Sequence, residues 1–187
     1  MEYKEKLEKG SFYHIFNRGN NKEDLFPDDN GYAHFLKLIS KHIIPIANVY
    51  AYCPLKNHFH LLIQIKEAIE LKEDKLHQPF SNLFNAYAKT ANKIYKREGS
   101  LFRSNYKRIK IKDENQLINT ILYIHLNPVK HGFTDVFRNY EHSSFQTIIS
   151  EKPTKLTREF VLNLFENKEN FIASHQIKVL EKFDLDS

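Results

Sequence analysis

Ala47-Asn-Val-Tyr-Ala-Tyr-Cys-Pro-Leu-Lys-Asn-His58-Phe-His60-Leu-Leu-Ile-Gln-Ile65 is the stretch on which the fold turns. Residues 47–54 and 58–65 are runs rich in β-branched and aromatic side chains, separated by Leu55-Lys56-Asn57. That pattern predicts an antiparallel hairpin. Side chains at i and i+2 of a strand project from one face, so His58 and His60 are expected to point together while Phe59 turns the other way into a core. Neutral imidazoles converging like this are natural ligands for a divalent cation. Taken alone, such a pair is more often just two ordinary polar residues on a wet strand face. Asn57 either orients a ligand or ends the hairpin turn, and the turn is the preferred reading.

Working outward, residues 10–17 read as a strand that ends in the loop Arg18-Gly19-Asn20-Asn21. Asp28-Asp29-Asn30 can cap a helix to about residue 44, with Phe35, Leu36, Leu38 and Ile39 at helical spacing. Residues 66–78 are charged and irregular, a loop. Pro79-Phe80-Ser81 opens a helix to about residue 97, with Phe80, Leu83, Phe84, Tyr87, Ala91, Ile94 and Tyr95 on its apolar side, and Gly99 stops it. A fourth strand is expected over roughly 101–112, then a helix from Glu114 to Leu126 whose end Pro128 and Gly132 mark. The tail from Thr157 to about 185 reads as one or two amphipathic helices. The order βαββαβα predicts an α+β fold, a ferredoxin-like sandwich with an antiparallel sheet and helices on one face, followed by a C-terminal helical extension.

A second motif, Tyr123-Ile-His-Leu-Asn127-Pro-Val-Lys130-His131-Gly132, supplies what the histidine pair lacks. If the helix persists to 127, Tyr123 and Asn127 share one helical face. The carboxamide oxygen of Asn127 is a hard donor that suits Mg²⁺ or Mn²⁺ and could complete a three-ligand site with His58 and His60. Asn before Pro is also a common helix-end signal. Most of the ten tyrosines must be packing residues, and Tyr50, Tyr52, Tyr87 and Tyr95 sit at core-compatible positions. Tyr123 differs in its spacing to Asn127 and in the basic turn that follows it; it is the candidate nucleophile. A metal-clamped phosphate and neighbouring cations would favour its phenolate during attack. His125 is not assumed to be its base, since i and i+2 on a helix do not face each other.

The 187 residues suit one domain with a short appendage; 41% are hydrophobic and 13% aromatic, which excludes a disordered chain. Cys53 is the only cysteine, so an intrachain disulfide is impossible and a reducing compartment is expected. The first six residues precede no apolar stretch and no run is long enough to span a membrane, so a cytoplasmic protein is expected. The net charge of +5 is uneven: residues 89–112 hold nine Lys or Arg against Glu98, whereas 151–187 is balanced. A basic stripe of this kind attracts a polyanion, although a charge run is often only a solvated face.

Together these motifs resemble the one-tyrosine HUH transposases, and within them the REP-associated tyrosine transposase branch. HUH denotes His, bulky hydrophobe, His, here His58-Phe59-His60. The family's second signature, a helix tyrosine with a metal-binding Asn or Gln four residues later, is matched by Tyr123 and Asn127. Tyr13-His-Ile-Phe-Asn-Arg-Gly19, Gly99-Ser-Leu-Phe-Arg-Ser-Asn-Tyr-Lys107 and His142-Ser-Ser-Phe145 fit as well. The resemblance spans nearly the whole chain; Leu55-Lys56-Asn57 between Pro54 and the first His is a small departure.

The resemblance implies a catalytic domain over residues 1–150 and a helical extension over 151–187. It implies a metal-dependent single-stranded DNA endonuclease and transposase: Tyr123 is catalytic, His58, His60 and Asn127 bind Mg²⁺ or Mn²⁺, and no nucleotide cofactor is needed. DNA with REP-like hairpins is cut and rejoined through a 5′-phosphotyrosine. Arg18, Lys89, Lys93, Lys96, Arg97, Arg103, Lys107, Arg108, Lys110 and Lys130 are the candidate DNA contacts. Tyr95, Phe102 and Tyr106 could stack unpaired bases or pack in the core. Monomers are favoured, with dimers open. The alternative from another class is a catalytically silent hairpin or single-strand binder on the same scaffold; a replication initiator or relaxase fits less well, because no helicase-like region is present.

Overall fold

A computed structural model describes residues 5–184, with side chains as far as Val179 in the last helix. The expectation of no leader therefore rests largely on residues outside those described. Strands β1 (Phe12–Arg18), β2 (Ala47–Leu55), β3 (His58–Ile65) and β4 (Lys107–Lys110) form one sheet in the order β2-β3-β1-β4. Every neighbouring pair in it is antiparallel. The α-helices are α1 (Asp29–His42), α2 (Gln78–Ile94), α3 (Glu114–Lys130), α4 (Phe145–Ile149), α5 (Arg158–Leu164) and α6 (Lys168–Asp184). The α+β class is as expected.

The pleat decides what lies where. In register, Phe16 pairs with His60 and His14 with Leu62, so these side chains share one face while Tyr13, Ile15, Phe59, Leu61 and Ile63 occupy the other. That second face packs with Phe35, Ile39, Phe80, Leu83 and Tyr87 of α1 and α2 in one apolar cluster. The first face packs with Leu117, Ile121 and Ile124 of α3, together with Phe145, Val161, Phe165 and Phe171 of the later helices. The helices therefore divide between the two faces rather than covering one. Each face of this sheet carries its own apolar set, so each needs its own cover.

Three boundaries differ from expectation. The fourth strand shrinks to Lys107–Lys110, because residues 99–106 contain Gly99 at φ +80° and Asn105 at φ +63°, which turn the chain instead of extending it. Helix α2 ends at Ile94; Lys96 takes the left-handed conformation at φ +50°, and the Arg97 amide donates to the Asn92 carbonyl. The helix thus ends five residues before Gly99. Ile94 is 62% exposed rather than apolar-side core, while Ala91 in the same turn is buried. Helix α3 runs through Pro128 to Lys130. It closes in a Schellman pattern, the Phe133 amide donating to the Pro128 carbonyl and Gly132, at φ +68°, donating to Val129.

Candidate active site

His58 and His60 begin β3 and project toward α3. Their rings lie 5.1 Å apart, centroid to centroid, and nearly perpendicular. Tyr123 and Asn127 come from the facing side of α3, as their four-residue spacing requires. The Tyr123 ring centroid lies 5.3 Å from that of His60 and 5.9 Å from that of His14. The four residues singled out by spacing are thus brought together. Tyr123 is 38% exposed, so its phenol is not sealed in the interior. An open depression of about 250 Å³ borders it, lined also by His14, Ile109, Gln116 and Thr120. Lys130 places its ammonium 5.0 Å from the centroid of the Tyr123 ring, adding positive charge beside the phenol.

The polar contacts fix proton positions. His58 Nδ1 lies 2.7 Å from Asn57 Oδ1; an amide oxygen only accepts, so Nδ1 carries the proton. In the neutral ring, Nε2 then presents a lone pair, and it faces Asn127 Oδ1 at 3.2 Å. The orientation of the Asn127 amide is set by its Nδ2, which donates to the Tyr123 carbonyl at 3.4 Å. Burial lowers the His58 pKa, the Asn127 contact partly offsetting it; in the neutral tautomer that donates to Asn57 on the shorter contact, two electron-rich atoms confront each other. Cis ligands of an ion bound at about 2.1 Å lie about 3 Å apart, and this pair has that separation. The donor set therefore fits a hard divalent cation. Among the described residues no cluster of three or more His, Cys, Asp or Glu could hold a metal, so Asn127 and solvent or phosphate oxygens would have to complete the coordination.

Two further contributors are His14, which the sequence did not single out, and Asn57, for which ligand orientation was the less favoured reading. His60 Nδ1 lies 2.9 Å from His14 Nε2 in a buried contact. Burial drives the His60 pKa well down and takes His14 to about 4, so the two neutral rings share one proton. If His60 donates it, His60 Nε2 keeps a free lone pair, and His14 orients the ring as metal-site partners do. His14 pairs in register with Leu62, so this contact is a diagonal cross-strand one that only the strand register reveals. Asn57, read as a turn residue, both closes the hairpin and orients His58.

The basic residues do not form one surface. Strand register puts Lys107 on the site face beside Phe16, and Arg108 and Lys110 on the opposite face. Arg18 is exposed at the end of β1, opposite His58, and Lys130 is at the site itself. Lys89, Lys93 and Lys96 belong to α2 and its C-terminal turn, in the layer across the sheet. Arg97 pairs with Glu23 and bonds Asn92, and Lys110 pairs with Glu8. Arg103, Arg108 and Tyr106 meet with Asn17, Ser81 and Asn85 around a cleft of about 570 Å³ between α2 and the loop before β4. Phe102 is buried in the core, and Tyr95 bonds Asp28 through its hydroxyl. Tyr106 is half-buried between Phe80 and Phe84, with Arg108 over its ring.

A histidine pair on an inner strand thus meets, on the same face of an antiparallel α+β sheet, a helix bearing Tyr and Asn. No family model matches the sequence. The chain is 29% identical over 150 residues to a Haemophilus influenzae protein provisionally named as a REP-associated tyrosine transposase, covering 76% of this chain and 84% of that protein. Its fold is similar to a solved structure of the REP-associated tyrosine transposase bound to a REP hairpin, with a TM-score of 0.66, 15% identity, and coverage of 82% of this chain and 88% of that one. The chain is thus similar in sequence to a REP-associated tyrosine transposase and similar in fold to another. Among the described residues no helix is long and apolar enough to cross a membrane.

Proposed function

We propose that the chain is a metal-dependent transposase and endonuclease of single-stranded DNA, acting beside REP-like hairpins. The observation that carries this reading is the convergence of His58, His60 and Asn127 beside an accessible Tyr123. The name and the fold of the relatives support it. His58, His60 and Asn127 would hold Mg²⁺ or Mn²⁺, which when bound polarises the scissile phosphate and fixes its orientation. Tyr123 Oη attacks phosphorus, forming the tyrosyl–phosphate bond as the P–O3′ bond breaks; the phenolic proton goes to solvent and the leaving oxygen takes one from solvent to become a 3′-hydroxyl. The product is a 5′-phosphotyrosine. One ester replaces another, so a 3′-hydroxyl attacking the same phosphorus rejoins DNA without a nucleotide cofactor.

Lys130 stabilises the developing phenolate, while Arg18 and Lys107 lie on the side from which the DNA backbone would approach. In this reading residues 1–150 form the catalytic unit, 151–187 the extension, and the protein works as a cytoplasmic monomer. The test is incubation with hairpin-bearing single-stranded DNA and Mn²⁺, followed by a denaturing gel. A covalent adduct that disappears in Tyr123→Phe is expected. Hairpin binding without any adduct would replace this reading with that of a silent DNA-binding protein.

A further inference from the structure

Between Tyr123 and Asn127, but on the other side of α3, His125 is completely buried and takes no part in the reaction proposed above. Its ring sits in an unbroken hydrogen-bond chain. His175 Nδ1 lies 2.7 Å from the Phe171 carbonyl oxygen, His175 Nε2 lies 2.9 Å from His125 Nδ1, and His125 Nε2 lies 2.7 Å from Ser144 Oγ. Ser144 Oγ accepts from the Tyr52 amide at 2.9 Å, and the Ser144 amide donates to the Tyr52 carbonyl. Both ends dictate its direction. A carbonyl only accepts, so His175 Nδ1 donates and its Nε2 accepts from His125 Nδ1; His125 Nε2 then accepts from the Ser144 hydroxyl, whose oxygen takes the Tyr52 N–H. Every donor and acceptor is used once, and Phe137, Phe145 and Phe171 close around the two rings.

The chain ties α6 to α3 at the turn that presents Tyr123 and Asn127. It is also where α3 needs help, because Pro128 lacks the N–H that would bond back toward Ile124. We propose that His175 is a positioning residue: through His125 it sets the rotation of α3 about its axis and so the placement of Tyr123 over the histidine pair. The proposal rests on the reading of Tyr123 as nucleophile. A phenol oxygen about 8 Å from the helix axis moves roughly 1.4 Å for a rotation of about 10°, and a misplacement of about 1 Å can cost on the order of 100-fold in rate. The C-terminal extension is thereby part of the machinery that aims the nucleophile.

The experiment compares wild type with His175→Phe, which removes the acceptor, and with His175→Gln, whose carboxamide can accept from His125 and donate to the Phe171 carbonyl. Ser144→Ala cuts the chain at its far end, and Phe171→Leu is a packing control that leaves the chain intact. Adduct formation is measured in single turnover at saturating hairpin DNA with Mn²⁺, alongside DNA affinity, thermal melting and the ¹⁹F resonance of 3-fluorotyrosine at position 123. We expect His175→Phe and Ser144→Ala to bind DNA within about 3-fold of wild type yet form adduct at least 10-fold more slowly and shift the Tyr123 resonance, with His175→Gln recovering most of both. Should His175→Phe not fold, Ser144→Ala carries the same comparison. Rates and resonances that track melting temperature alone, with Phe171→Leu as impaired as His175→Phe at equal stability, would overturn the proposal. Absence of adduct in wild type while the ¹⁹F shifts follow the expected pattern would instead overturn the transesterase reading and leave the positioning role standing.

Discussion

If Tyr123 is the nucleophile proposed above, removing its hydroxyl separates chemistry from folding. The side chain is partly exposed, so Tyr123→Phe should change stability by no more than about 0.5 kcal/mol while abolishing adduct formation, as a melting curve and a denaturing gel would show together. Residues that orient the ligands behave differently. Asn57→Ala frees the His58 ring to turn, and His14→Ala does the same for His60; each should weaken Mn²⁺ binding by roughly 10- to 100-fold, read by titration calorimetry. Unchanged metal affinity in both would mean that these contacts do not orient ligands. The spacing of His58, His60, Tyr123 and Asn127 carried most of this geometry, because strand and helix periods act over two to four residues. His14 was invisible, since its contact with His60 spans 46 residues and depends on which strands pair.

At the scale of single elements, α3 is held at both ends by local chemistry. Asp113 Oδ1 accepts from the Gln116 amide at 2.7 Å, and Asp113→Ala should cost about 1 kcal/mol. At the other end Gly132 adopts φ +68° with nothing within 4 Å of an added Cβ, so Gly132→Ala is strained by backbone conformation alone and should cost about 1 kcal/mol. Urea denaturation measures both; a neutral Gly132→Ala would show that the turn relaxes freely. The α3 terminus was misjudged from sequence because Pro128 is a local stop signal that tertiary packing and the Schellman closure override. The length of β4 was overestimated for the opposite reason. Its flanking residues have strand-compatible side chains, but the left-handed turn at Asn105 is a backbone property that composition conveys poorly.

Across the whole molecule, two features set bulk behaviour. The first is a set of buried neutral histidines. Burial lowers His14 and His175 to about 4 from 6.5, and lowers His60 and His125 as well. Their folded values lie below the unfolded ones, so between those limits the unfolded chain binds more protons. Stability is complete above about pH 6.5 and falls as pH drops toward 4, each ring contributing up to about 1.4 kcal/mol per pH unit. Denaturation at pH 7.5, 5.5 and 4.5 checks this; stability that holds steady or rises on acidification would contradict it. The second feature is charge. The sequence displayed a basic run, but strand alternation and ion pairs with Glu23 and Glu8 distribute it over both sides of the sheet, something linear order could not convey.

The most direct measurement of the central claim is peptide mass spectrometry of the protein denatured after reaction with hairpin-bearing single-stranded DNA and Mn²⁺. The peptide containing Tyr123 should carry the 5′-phosphorylated DNA product on the tyrosine oxygen, with the matching 3′-hydroxyl fragment released. DNA cut with Tyr123 unmodified, or an adduct mapped to another residue, would contradict it.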